Sequence, residues 1–142
     1  MNLAALPKYK QFLAALAMPV VLYGFGIAFS YAFPHDLYKV YPQLDNVMHF
    51  LGGASITYGA WLLLDRYHWS GSAFSSLPRW LKLVFIACIV VTVAVLWEWY
   101  EYLLHVLALL PIQTYLDTLT DLFFGMAGGI IAATYLLGSR KE

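Results

Sequence analysis

Of the twelve Asp, Glu and His side chains in this sequence, which have the chemistry to bind a metal or carry a proton, seven fall in three short segments. Asp45 and His49 lie in "DNVMH", Glu98, Glu101 and His105 in "WEWYEYLLH", and Asp117 and Asp121 in "LDTLTD". On a helix, residues three or four positions apart share a face. Asp45 and His49 are four apart, as are Asp117 and Asp121. At about 100° per residue, Glu98, Glu101 and His105 fall within an arc of about 60°. Each segment thus presents one polar stripe.

These stripes hold five of the eight acidic residues, and no Lys or Arg accompanies them. An ionised carboxylate at bilayer depth costs at least about 2.5–3.5 kcal/mol. Such acids must be protonated, face water or enclose a cation. Two imidazoles among five carboxylates point to the cation, because this donor mixture suits Zn, Fe or Mn. His49, Glu98, Glu101, Asp117 and Asp121 are the expected divalent-metal ligands, with His105 and Asp45 next. In an enzyme, the metal would activate water or polarise a phosphoryl or carbonyl oxygen. That chemistry suits a hydrolase or transferase acting on a lipid-linked or envelope substrate, with a carboxylate outside the coordination shell as general base. Two alternatives stand beside it. One is a proton- or cation-coupled transporter, in which a homo-oligomer would supply further helices. The other is a non-catalytic envelope or assembly factor with a structural polar cluster. The plainest reading of "WEWYEYLLH" is an interfacial aromatic belt of Trp97, Trp99, Tyr100 and Tyr102, with the glutamates reaching headgroup water.

The elements that must position these residues are membrane helices. The chain has 142 residues, 62% hydrophobic and 11% charged, with a mean hydropathy of +0.70. Soluble domains average about 25% charged residues. The expected architecture is all-α: a single-domain, multi-pass bundle of four transmembrane helices over about 12–33, 47–64, 81–104 and 116–137, each near the length that crosses a bilayer. A cell or inner membrane is the expected location and the bilayer the first partner. The net charge of +0 gives no basis for binding nucleic acid. The first apolar run is longer than a signal-peptide core and lacks a clear cleavage site, which favours a retained span. Lys8, Lys10, Arg66, Arg79, Lys82, Arg140 and Lys141 fall on one side of four spans, and only Lys39 on the other. The positive-inside rule then places both termini in the cytoplasm and all three polar stripes at the outer side.

Glycines follow two of the stripes. Gly52 and Gly53 lie one turn beyond His49, and Gly125, Gly128 and Gly129 lie beyond Asp121. Small residues let membrane helices approach closely, which would draw the stripes together; Gly24 and Gly26 could act likewise in the first span. Ser55, Thr57 and Thr92 are expected to bond their own helices, and Cys88 to be a small buried hydrophobe. His35 and Asp36 belong to a loop, and His68 lies on the other side of the membrane. No phosphate loop, nucleophile elbow or H-E-x-x-H is present.

"DNVMHFLGG", "WEWYE" and "DTLTDLFFGMAGG" resemble the signature blocks of VanZ-like membrane proteins and of YjdF-type membrane proteins. Asp45 and His49 match the VanZ-like D-x-x-x-H, and Glu98 or Glu101 its late-helix Glu. Asp117 and Asp121 match its D-x-x-x-N, with Asp in place of Asn. "WEWYEY" and "LDTLTDL" are nearer the YjdF-type pattern. The resemblance spans about residues 45–129 and implies a small polytopic bundle with an outward-facing site.

Overall fold

The computed structural model describes residues 6–32, 40–41, 43–66, 74, 76–107 and 114–139. It is all-helical, with four long helices: α1 (Lys8–Ala32), α2 (Gln43–Trp61, closing in a π-helical turn Leu62–Arg66), α3 (Arg79–Val106) and α4 (Tyr115–Gly138). Among the described residues, three helices are long and apolar enough to cross a membrane: Gln43–Leu64, Arg79–Val106 and Tyr115–Gly138, of 22, 28 and 24 residues. At about 1.5 Å per residue each exceeds the roughly 30 Å hydrocarbon layer. The 25-residue α1 carries Pro19 in its interior. It covers the first expected span except Phe33, which lies outside the described residues. His35, Asp36, Lys39, His68, Arg140 and Lys141 also lie outside them.

Each helix turns large apolar side chains outward: Val21 and Phe25 on α1, Val47 on α2, Phe85 and Leu96 on α3, Phe123 and Ile131 on α4. In water this surface would be a severe liability, but in a bilayer it is the lipid-facing coat. Cys88 belongs to it. It is exposed rather than buried, because it sits on the face of α3 turned away from the buried Ile86 and Val90.

α2 is the central helix and packs on α1, α3 and α4, most extensively on α4. α2 and α4 run parallel, and glycine explains their closeness. A Cβ built on Gly53 would collide with the carbonyl oxygen of Gly125, and one on Gly128 with the carbonyl oxygen of Phe50. Backbone therefore lies directly on backbone. The Thr57 hydroxyl donates across this crossing to the Gly129 carbonyl at 3.0 Å, whereas Thr92 bonds its own helix through the Cys88 carbonyl at 2.8 Å. A Cβ built on Gly24 would meet nothing within 4 Å, so Gly24 takes no part in close packing.

The two ends of the bundle differ in chemistry. At one end Trp61, Phe74, Ile86, Val90 and Ala133 form the apolar core, and Lys82 lies over the Phe74 ring, 5.8 Å from its centroid. The start of α1 joins this end: the Tyr58 hydroxyl donates to Gln11 Oε1 at 2.9 Å, and Phe12 and Leu16 pack beside Gly59. Lys8, Lys10, Arg79 and Lys82, the bases whose side chains are described, all belong to this end. Asp45, Glu98, Glu101, Asp117 and Asp121 occupy the other.

Candidate functional site

The α2–α4 crossing sets the site. His49 lies one turn before Gly53, and Asp121 one turn before Gly125, so the glycine contact brings the two side chains face to face. His49 Nε2 is 3.7 Å from Asp121 Oδ1 and 3.8 Å from Asp45 Oδ1. Both separations are too long for a hydrogen bond. They suit two ligands on one ion, since bonds of about 2.0–2.2 Å place neighbouring ligand atoms roughly 3–4 Å apart.

α3 completes the cluster. Asp45, His49 and Asp121 each offer a ligand atom within 4.8 Å of one another, and His49, Glu98 and Glu101 do the same. His49 is common to both groups, so five side chains from three helices make up the cluster, with one imidazole at its centre. Burial is deep: Asp121 is 0% exposed, Glu101 4% and Glu98 8%. Both Asp121 carboxylate oxygens and Glu98 Oε2 are buried without a hydrogen-bond partner. Buried polar groups are nearly always satisfied, and those that are not call for a specific explanation such as an ion or water. A cation at the cluster would bind the orphaned oxygens and balance carboxylates that have no described Lys or Arg at their end of the bundle.

Glu101 is positioned from its own helix. The Trp97 indole N–H donates to Glu101 Oε1 at 2.9 Å, and the Tyr23 ring of α1 meets Trp97 edge-on with centroids 5.2 Å apart. The aromatic run therefore divides. Trp99, Tyr100 and Tyr102 face outward, Trp99 at 70% exposure, as a belt would. Trp97 turns inward to hold a carboxylate. Its four-residue spacing from Glu101 was the available signal. Partners that orient ligands typically alter metal affinity by about 10–100-fold when removed. If a divalent metal occupies the cluster, Trp97→Phe should weaken its affinity by about 10-fold or more, measured by competition with a metal indicator, while the helical circular dichroism spectrum stays unchanged.

Two expected ligands stand apart from these groups. Asp117 is exposed in the first turn of α4, where its backbone N–H donates to the N-cap Thr114 hydroxyl at 3.2 Å. His105 lines a cavity of about 490 Å³ between α3 and α4, together with Glu98, Tyr102, Thr114, Tyr115 and Thr118. Glu98 thus borders both the cluster and this cavity. A second cavity, of about 210 Å³, lies on the other side of the cluster among α1, α2 and α3; the acidic stripes did not foreshadow it, because α1 contributes no acid.

Residues 2–142 match the model of the family described as "Predicted membrane protein (DUF2238)". The chain belongs to that family. Membership agrees with the three helices long and apolar enough to cross a membrane and establishes a membrane protein. No curated protein and no solved structure matches the chain.

Proposed function

We propose that this DUF2238 protein holds a divalent metal at the outer side of the membrane, ligated by His49 with carboxylates drawn from Asp45, Glu98, Glu101 and Asp121. The observation that carries the reading is the fully buried Asp121 carboxylate, with both oxygens unpartnered and one of them 3.7 Å from an imidazole. Carboxylate oxygens outnumber the one nitrogen donor, and no thiol is near, which favours Mn or Fe over Zn. His105 and Asp117 are placed to serve as outer ligands or proton carriers rather than members of the inner set.

Sidedness rests on the bases. Lys8, Lys10, Arg79 and Lys82 gather at the end opposite the acids, so the positive-inside rule turns the cluster outward and the termini inward. The motif resemblance to VanZ-like and YjdF-type proteins supports the same orientation. A metal so placed would polarise a phosphoryl or carbonyl oxygen, or activate water, in hydrolysis or transfer on a lipid-linked or envelope substrate. A second reading, a proton- or cation-coupled transporter, is favoured by Glu98 alone, since it joins the buried cluster to the larger cavity. Acid-driven cation flux in reconstituted vesicles, abolished by Glu98→Gln, would select it.

The metal reading is tested by elemental analysis of protein purified without chelator and after loading with Mn, Fe or Zn. Wild type should retain about one equivalent, and His49→Ala and Asp121→Asn less than about a tenth. Equal, near-zero retention in all three proteins would refute it.

A further inference from the structure

The smaller cavity is polar at one end and apolar along its length, and the gradient follows the helix axes. On α2 its lining runs from Asp45 and His49 through Gly52 to Ile56. On α3 it runs from Trp97 to Val93 and Val90, and on α1 from Tyr23 to Pro19 and Leu16. In each helix the polar residue lies at the cluster end and the apolar ones toward the bilayer centre. The walls thus match a molecule with an oxygen-bearing head and one hydrocarbon chain, lying parallel to the helices.

The cavity borders the lipid-facing surface. α1 rests mainly on α2 and touches α3 through the Tyr23–Trp97 ring contact. Below this contact the cavity lies between α1 and α3, and Val20 and Val21 beside it are exposed at the lipid-facing surface. Gly52 keeps the wall thin: a Cβ there would come 3.7 Å from Pro19. An ordinary side chain at that position would narrow the cavity beside His49.

We infer that this cavity seats the hydrocarbon chain of a single-chain anionic amphiphile, with its head oxygen directed at the His49 cluster. The anionic head follows from the proposed metal. The cluster is acidic and has no described Lys or Arg at its end, so a phosphate or carboxylate head binds there only through the metal. The inference rests on the metal reading above for its head and on the cavity for its chain, and the two parts separate experimentally.

The probe is an alkyl phosphate carrying a mid-chain diazirine, photolysed with the full-length protein in phosphatidylcholine nanodiscs. Adducts should map to α1 near Leu16 and Val20 and to α3 near Val90 and Val93. Excess dodecyl phosphate should abolish them, and inorganic phosphate should not. Val93→Trp, which fills the cavity without touching the cluster, should lose the adducts while retaining wild-type metal content; Val93→Phe is the smaller plug if the Trp variant is unstable. His49→Ala, which lacks metal, should lose the competition by dodecyl phosphate. Adducts spread over the outer faces at Trp80, Phe85 and Phe123, or labelling unchanged by either plug, would overturn the cavity assignment. Competition by dodecyltrimethylammonium in place of dodecyl phosphate would overturn the anionic head. A protein that holds no metal yet labels at Leu16, Val20 and Val90 and loses those labels in the plug variants refutes the metal reading and leaves the chain site standing.

Discussion

Gly53→Ala is expected to unfold or loosen the bundle and to empty the cluster, whereas Gly125→Ala, at the same crossing, is expected to do neither. The added methyl at Gly53 points at the Gly125 carbonyl oxygen. That atom belongs to helix backbone and cannot swing aside, so α2 and α4 must separate. Overpacking commonly costs about 1–3 kcal/mol and sometimes more, and here it also breaks the Thr57 bond to Gly129. A methyl at Gly125 would rest 3.8 Å from Ala94 and from the His49 carbonyl, ordinary contact distances. Alanine should then be neutral or stabilising by up to about 1 kcal/mol, through its helix propensity. Gly128→Ala should follow Gly53→Ala, since its methyl meets the Phe50 carbonyl. Gly129→Ala should also destabilise, because its methyl would meet both γ-methyls of the buried Val90, a β-branched residue whose helical rotamer is stiff. Thermal melting in detergent with parallel metal analysis measures all four. If Gly53→Ala and Gly125→Ala melted alike and held equal metal, the crossing would not be what positions the site.

The same glycines show what was legible in the sequence. Hydropathy located the membrane helices, because apolar length alone decides whether a segment crosses a bilayer. The pairing of Asp45 with His49 followed from helical period. That the three stripes meet at one end of the bundle followed from counting spans. Gly125 and Gly129 read as a G-x-x-x-G, but the decisive close approaches are at Gly53 and Gly128, because rotation about each helix axis is set by the partner surface. Rotation and crossing depth likewise decide why Asp121 is fully buried while Asp117, one turn earlier, is exposed in the opening turn of α4. His105 lies two turns beyond Glu98 and lines the α3–α4 cavity, away from α2, which no periodicity could reveal. Trp97 had the composition of a membrane belt, and only its contact with Glu101 distinguishes it from Trp99. The cavity beside α1 left no trace in the charge pattern, since its walls are the small and apolar residues common to any membrane helix.

Asp121→Asn should change stability in opposite directions with and without metal. In metal-free protein the Asp121 carboxylate is buried with two unsatisfied oxygens, among Asp45 and the α3 glutamates, with His49 Nε2 too distant for a hydrogen bond. Leaving a buried polar group unsatisfied costs about 1–3 kcal/mol, and more if it is charged. Asparagine nearly conserves volume, cannot ionise among the neighbouring carboxylates and adds an N–H₂ able to donate to one of them. Metal-free Asp121→Asn should therefore be more stable than metal-free wild type by about 1 kcal/mol or more. With metal present the order reverses. A ligand at about 100 times its dissociation constant stabilises the folded state by about 2.7 kcal/mol, and wild type alone gains it, because the amide is a poor substitute for a carboxylate on a hard cation. Melting curves of both proteins in chelator and in excess Mn, Fe and Zn test the reversal. Its sign separates a metal centre from a structural polar cluster: in the latter, Asp121→Asn would shift the melting temperature equally in chelator and in metal. On the proposed metal reading, the Asp121 carboxylate that the crossing of α2 on α4 holds in place would destabilise the fold by itself and stabilise it once a cation is bound, and the two sets of melting curves read that difference.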